Sequence, residues 1–276
     1  EMAQRRAPGN TCLQACESMF RGEHVHNNSK GCGGIMRVAP MALLDAGYAS
    51  RDEKTYSLVE LAEAGGEIVE CTHKHPLGFL PASLLTVLLY KIVPMSPKQV
   101  HEEIDSIVNE TLDILDLIYI DKYESEKQYL RELSEKAIRL AHSDLSDADA
   151  IRQLGEGWVA EETWAIALYC AIRHIDSVED AIIASVNHNG DSDSTGSVCG
   201  NIMGAIYGYE HIKERNIFCP EGKNFEDTLE LSEIILAIAN DLSTGCIISE
   251  YDSIDTPEKR QWYERYCEMK PVGIGN

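Results

Sequence analysis

Apolar positions recur along this chain mainly at helical spacing. Ile104, Ile107, Val108, Leu112, Leu115 and Ile118 fall three or four residues apart, which predicts a helical segment with one buried face. Residues 82–93, 163–173 and 229–242 are apolar on nearly every side, which predicts interior helices. Pro8-Gly9-Asn10-Thr11 reads as a helix start with Asn10 or Thr11 as cap. Pro94, Pro97 and the LGEGW stretch at 154–158 punctuate the pattern. No alternating run and no hairpin signal emerges. The pattern predicts an all-α protein: a single compact multi-helix domain of about eleven helices over residues 1–250, with 251–276 as a peripheral helix or tail.

A chain of 276 residues can bury one large core, and 44% hydrophobic with 25% charged residues is ordinary for a globular protein. The uncharged run 76–90 is interrupted by Pro81 and stops at Lys91, too short to span a bilayer. Charge changes the picture more. Twenty-four Lys and Arg stand against 46 Asp and Glu, a formal net charge of −22. Such a surface repels phosphate backbones and argues against a broad nucleic-acid face, while leaving room for a small anion held by backbone N–H groups or a metal. The nine cysteines form neither a CxxC nor a zinc spacing. They read as reduced core residues of a cytoplasmic protein, with a monomer as the default assembly. The opening EMAQRRAPGN has the character of mid-protein sequence, so we expect the natural N-terminus to lie upstream of Glu1.

The densest chemistry is HNGDSDSTGSVCGNIMGAIYG at 188–208. Asp191 and Asp193 stand one residue apart beside Ser194 and Thr195, followed by Gly196, Gly200, Gly204 and Gly208 at every fourth position. Capping at Asp193 and Ser194 explains one carboxylate and one hydroxyl, not the whole group. An EF-hand needs a glutamate at the twelfth position from Asp191, and Ile202 stands there. A hard-cation site for Mg²⁺ or Mn²⁺ fits the donors better, with the glycine stripe letting the helix approach a neighbour closely. Two carboxylates are too few for a two-metal centre, so further ligands must come from elsewhere.

Two other segments are candidates. NNSKGCGGIMRVAP at 27–40 sets Gly31, Gly33 and Gly34 before an apolar stretch, without a P-loop or dinucleotide fingerprint. It reads as a tight interhelical turn, or as a turn whose N–H groups bind phosphate. Arg37 suits a ligand phosphate or a buried structural role bonded to helix C-termini. In THKHP at 72–76, His73 and His75 could face a ligand pocket, although a lone histidine is more often structural. GWVAEETW at 157–164 reads simply as a helix start with Glu161 and Glu162 in its first turn.

Taken in order, RRAPGNTCL (5–13), NNSKGCGGIMRVAP (27–40), THKHP (72–76), GWVAEE (157–162) and NHNGDSDSTGSVCGNIMGA (187–205) resemble the ADP-ribosylglycohydrolase family over most of residues 1–245. The resemblance implies an all-α fold with a binuclear Mg²⁺ or Mn²⁺ centre. It implies hydrolysis of the bond between ADP-ribose and an acceptor, arginine on an ADP-ribosylated protein foremost, or on an ADP-ribosyl small molecule. By position, Asp191, Asp193 and Ser194 match the family's C-terminal metal ligands. Ser29, Gly31, Gly33 and Met36 match the loop that lines the ADP-ribose site, and His73 matches a histidine bordering the ribose or diphosphate. The family's Thr-Asp-Asp-Thr segment has no counterpart, because no Asp-Asp pair occurs in these residues. The catalytic base is therefore expected in an N-terminal part not contained here. The alternative is a non-catalytic ADP-ribose-binding or structural member, or an inactive fragment.

Overall fold

Two helices that are apolar all round form the centre of the molecule. The computed structural model describes residues 8–49, 55–215, 217–244, 248 and 256–267. Among them run thirteen α-helices: α1 (Asn10–Phe20), α2 (Ala39–Ala49), α3 (Leu58–Glu70), α4 (Pro76–Ile92), α5 (Pro97–Leu112), α6 (Glu124–Ala141), α7 (Asp147–Leu154), α8 (Ala160–Arg173), α9 (Val178–Val186), α10 (Ser192–Glu214), α11 (Phe225–Thr228), α12 (Ser232–Ser243) and α13 (Pro257–Tyr266). No strand occurs among the described residues, only one isolated antiparallel bridge between Gly31 and Val159. The all-α reading therefore stands.

Fourteen of the seventeen residues of α4 are buried, and twelve of the fourteen in α8. The two pack on each other, with α2, α3, α5 and α6 also against α4, and α6, α7, α9 and α10 also against α8. Trp164 of α8 is fully buried, and its indole N–H donates to Ser134 Oγ of α6 at 2.8 Å. That pairing removes the penalty of an orphaned donor in the core. Ser57 and Ser96 close capping boxes on α3 and α5, with Pro97 at the first position of α5. Ile104, Ile107, Val108 and Leu112 form the buried face of α5, and Leu115 and Ile118 continue it after a 3-10 turn begins at Asp113.

Several expectations need correcting. Helix α12, read as interior, has no buried residue and exposes Ile234, Ile235 and Ile238. It lies at the periphery against α2, so its apolar surface is wider than the face that is covered. Helix α1 begins at Asn10 with Gly9 in the cap position and no side-chain cap bond. Of the eight described cysteines, all free, only Cys170 and Cys199 are buried. No described helix is long and apolar enough to cross a membrane. In the 251–276 segment, α13 is described, and 251–255 and 268–276 lie outside the described residues.

Candidate active site

The acidic turn joins α9 to α10. Helix α10 starts at Ser192, so Asp191 occupies the N-cap position, two residues earlier than expected. Its side chain makes no capping bond. Instead Asp191 Oδ2 accepts from Ser194 Oγ at 3.0 Å and from the Cys32 thiol at 2.8 Å, and the carboxyls of Asp191 and Asp193 are hydrogen-bonded to each other. Capping therefore does not account for Asp191, whereas Asp193 also takes backbone N–H groups of the first turn. Burial works to raise the Asp191 carboxyl, but hydrogen bonds from Asp193, Cys32 and Ser194 together carry it below its ordinary value. Asp193 is raised, first by its hydrogen bond to Asp191 and then by burial. The pair behaves as one ionised carboxylate, Asp191, beside one carboxyl that holds its proton more tightly.

Thr195 is not a further ligand. Its Oγ1 lies 2.7 Å from the Ser185 carbonyl, 3.0 Å from that of Asp191 and 2.9 Å from His188 Nε2. It ties α10 to the end of α9. The glycine stripe is only partly a packing device. A Cβ at Gly196 would approach Val186 Cγ1 to 2.6 Å, whereas Gly200 has ordinary clearance and Gly204 and Gly208 face nothing within 4 Å. Gly208 is not helical, with φ 77° and ψ 163°.

Residues 155–159 form a strut behind the turn. The Glu156 carbonyl accepts the Asp191 N–H at 2.7 Å. Contact is so close that a Cβ on Gly190 would sit 1.9 Å from the Glu156 oxygen. Gly157 holds φ at +80°, a conformation that costs other residues. Glu162 of α8 accepts the N–H groups of Glu156 and Gly157 at 3.0 and 3.1 Å, and Thr163 Oγ1 donates to the Gly157 carbonyl at 2.8 Å. GWVAEE is thus more than a helix start: its second glutamate fastens the strut. Its first, Glu161, is 1% exposed and pairs with Lys30, 131 residues away in sequence. Burial raises the Glu161 carboxyl, partly offset by Lys30.

The glycine-rich loop lies along the other side of the strut. The Gly31–Val159 bridge is flanked by Ala160 N–H to Lys30 O at 2.8 Å and Cys32 N–H to Trp158 O at 3.3 Å. Cys32 is thereby delivered to Asp191. Sequence reasoning missed it, and no local signal pointed to it. The N–H groups of Gly31 and Cys32 are already bonded, to Ser29 Oγ and Trp158 O, and the loop enters a 3-10 turn at Ile35–Arg37. Gly33 lies beside Cys12, and Met36 packs against the core.

Asn27 joins this loop to the 72–75 segment. Its Oδ1 accepts from the N–H groups of Ser29 and Lys74, and its Nδ2 donates to Thr72 O. His73 is buried with Nδ1 2.8 Å from Thr72 Oγ1, and its Nε2 edge faces Gly31, 3.5 Å from where a Cβ would stand. Burial first, and Arg37 second, lower its pKa. His75 is structural: it caps α4, with Nδ1 accepting the Leu77 N–H at 3.0 Å. Arg37 is structural too, since its Nη2 donates to Ile68 O in the last turn of α3 and to Thr72 Oγ1.

Asp191, Asp193, Ser194 and Cys32 therefore converge, and Ser29, Gly31 and His73 adjoin them through the same loop. Three oxygen-bearing side chains suit part of a hard-cation shell. Among the described residues no group of three or more His, Cys, Asp or Glu side chains is arranged to hold a metal ion. A cavity of about 750 Å³ opens beside the turn, lined by Arg152, Glu156, Asn187, His188 and Asn189 among others.

A family model described as ADP-ribosylglycohydrolase matches residues 1–245. The chain is 25% identical over 240 residues to ADP-ribosylhydrolase ARH3 of Bos taurus, covering 79% of this chain and 61% of that protein. It is 24% identical over 219 residues to ADP-ribosylhydrolase ARH3 of Homo sapiens, covering 72% and 57%. With ADP-ribosylhydrolase ARH1 of Dictyostelium discoideum it shares 26% over 251 residues, covering 77% and 60%. The chain thus spans about three-fifths of the length of these curated relatives.

Proposed function

Because the chain belongs to the ADP-ribosylglycohydrolase family, we propose that it contributes to hydrolysis of the glycosidic bond between ADP-ribose and an acceptor. The observation that carries this reading is the Asp191–Asp193 pair: the Asp191 side chain, at the N-cap position, makes no capping bond, and Asp191 is held from three chain segments. Asp191, Asp193 and Ser194 fit part of the shell of Mg²⁺ or Mn²⁺, whether one ion or two. Such a cation would supply Lewis-acid polarisation and a more acidic bound water. The remaining carboxylates, and the catalytic base, come on this reading from a segment outside these 276 residues.

The chain's own residues supply placement. Asp191, its carboxyl held below its ordinary value, would offset positive charge developing at an oxocarbenium-like anomeric carbon bound beside it. Ser29, Gly31 and Gly33, with little side-chain bulk, leave room for a nucleotide to approach the loop. Met36 supports that loop from the core side, and His73, buried with its Nε2 edge against Gly31, would border the ribose or diphosphate from behind that loop. We assign ADP-ribosylated arginine on protein as the acceptor. A net charge of −22 favours approach of a cationic acceptor group. The protein would act as a cytoplasmic monomer.

A second reading, ADP-ribose binding without turnover, draws on the absence, among the described residues, of a group of three or more His, Cys, Asp or Glu side chains arranged to hold a metal ion. One assay separates the two: release of free ADP-ribose from an ADP-ribosyl-arginine peptide with Mg²⁺ or Mn²⁺, for this chain extended by the segment that supplies the remaining carboxylates and for its Asp193→Asn variant, with ADP-ribose binding measured in parallel. Metal-dependent release that disappears in Asp193→Asn supports hydrolysis. Binding without release supports the second reading, and release indifferent to Asp193 refutes the assignment of the pair.

A further inference from the structure

The Cys32 thiol reaches Asp191 from 159 residues away in sequence. Resting on the glycohydrolase reading, we propose that Cys32 is a positioning residue that fixes the Asp191 carboxylate for that reaction. Sγ donates to Oδ2 at 2.8 Å, and Ser194 Oγ donates to the same oxygen at 3.0 Å. Two donors on one oxygen restrict rotation of the carboxylate and leave Oδ1 clear of both. Donor and acceptor also share one scaffold. Cys32 N–H is bonded to Trp158 O, and Asp191 N–H to Glu156 O, so both ends hang from the strut that α8 fastens through Glu162. A movement of the glycine-rich loop would therefore be transmitted to Asp191 through the thiol. Supporting hydrogen bonds of this kind, one step behind the groups that hold a metal or substrate, typically matter about 10–100-fold in affinity or activity.

A cysteine that only fills space gives a different pattern. Cys32→Val keeps an apolar side chain of similar bulk and removes the donor, whereas Cys32→Ser keeps a donor and loses bulk. Positioning predicts that Cys32→Val lowers kcat by about 10–100-fold with KM near the wild-type value, and that Cys32→Ser recovers most of the loss. Space-filling predicts the reverse order. The contact has a readout of its own in the S–H stretching band, which shifts when the thiol donates to a carboxylate. A component of that band should vanish in Cys32→Val and move in Asp191→Asn.

Turnover higher in Cys32→Val than in Cys32→Ser, or equal in Cys32→Val and wild type, overturns the proposal. So does a band that ignores Asp191→Asn. Turnover is read on the protein extended to include the segment that supplies the remaining carboxylates; if that protein releases no ADP-ribose while the band still responds to Asp191, the glycohydrolase reading fails and the catalytic part of the proposal falls with it, the contact itself remaining established. Thermal melts of each variant show whether a loss reflects folding.

Discussion

Replacing Gly190 by alanine tests the rigidity of the strut that holds the acidic turn. The added Cβ would lie 1.9 Å from the Glu156 oxygen, 2.7 Å from its carbonyl carbon and 2.9 Å from its Cα. All three are backbone atoms, so no side-chain rotation relieves the contact. The two segments must part by about 1 Å, which takes the 2.7 Å bond between Asp191 N–H and Glu156 O out of hydrogen-bonding range. Overpacking of this kind costs about 1–3 kcal/mol, and the lost bond about 1 kcal/mol more. For a domain of this size the sum, about 2–4 kcal/mol, lowers Tm by roughly 5–10 °C. Gly204→Ala is the control, because nothing lies within 4 Å of its new methyl group. Alanine is the better helix former by about 0.5–1 kcal/mol, so that variant should melt slightly higher than wild type. Calorimetry on the three proteins decides. A Gly190→Ala protein that melts with wild type, or a Gly204→Ala protein that melts below Gly190→Ala, would refute the account of a rigid strut and an open outer face of α10.

Lys30→Met strands the buried carboxylate of Glu161, one of whose oxygens already lacks a hydrogen-bond partner. Breaking a buried pair costs up to about 3–5 kcal/mol, but Lys30 is 40% exposed and its charge partly screened, so we expect about 1–3 kcal/mol at pH 7. Because burial raises the Glu161 carboxyl, protonation relieves the variant, and its deficit in urea melts should shrink as pH falls; a deficit independent of pH would contradict this. His73 titrates in the opposite sense. Its folded pKa is lowered, so the neutral ring contributes stability that is present above its unfolded value of about 6.5 and is lost as pH falls through the folded value. His73→Gln should therefore lose less Tm than wild type between pH 7 and pH 5, and parallel curves would rule the histidine out as a source of acid lability.

How much of this was legible in the sequence depended on how far apart the interacting residues lie. Helices α4 and α8 were readable as interior because their own residues are apolar on every side. The same pattern misplaced α12, since periodicity reports how apolar a helix is and not whether other segments cover it. Asp191, Asp193 and Ser194 stand out because they lie within four residues, although the helix starts two residues earlier than a cap at Asp193 would put it. Ser194 turns to the carboxylate, and Thr195 is spent on Ser185 and His188. The groups that give the turn its geometry were out of reach: Cys32 acts across 159 residues, Lys30 across 131, and Glu162 through backbone N–H groups that carry no sequence signature. Each is brought in by the short bridge at Gly31 and Val159, in a chain with no other extended pairing among its described residues. An isolated acidic turn would be a helix start with surplus charge. Braced by the strut, with a thiol and a hydroxyl on one carboxylate oxygen, it becomes a fixed pair of acids able to share a proton or a cation, and local sequence determines the first state while only the tertiary fold determines the second.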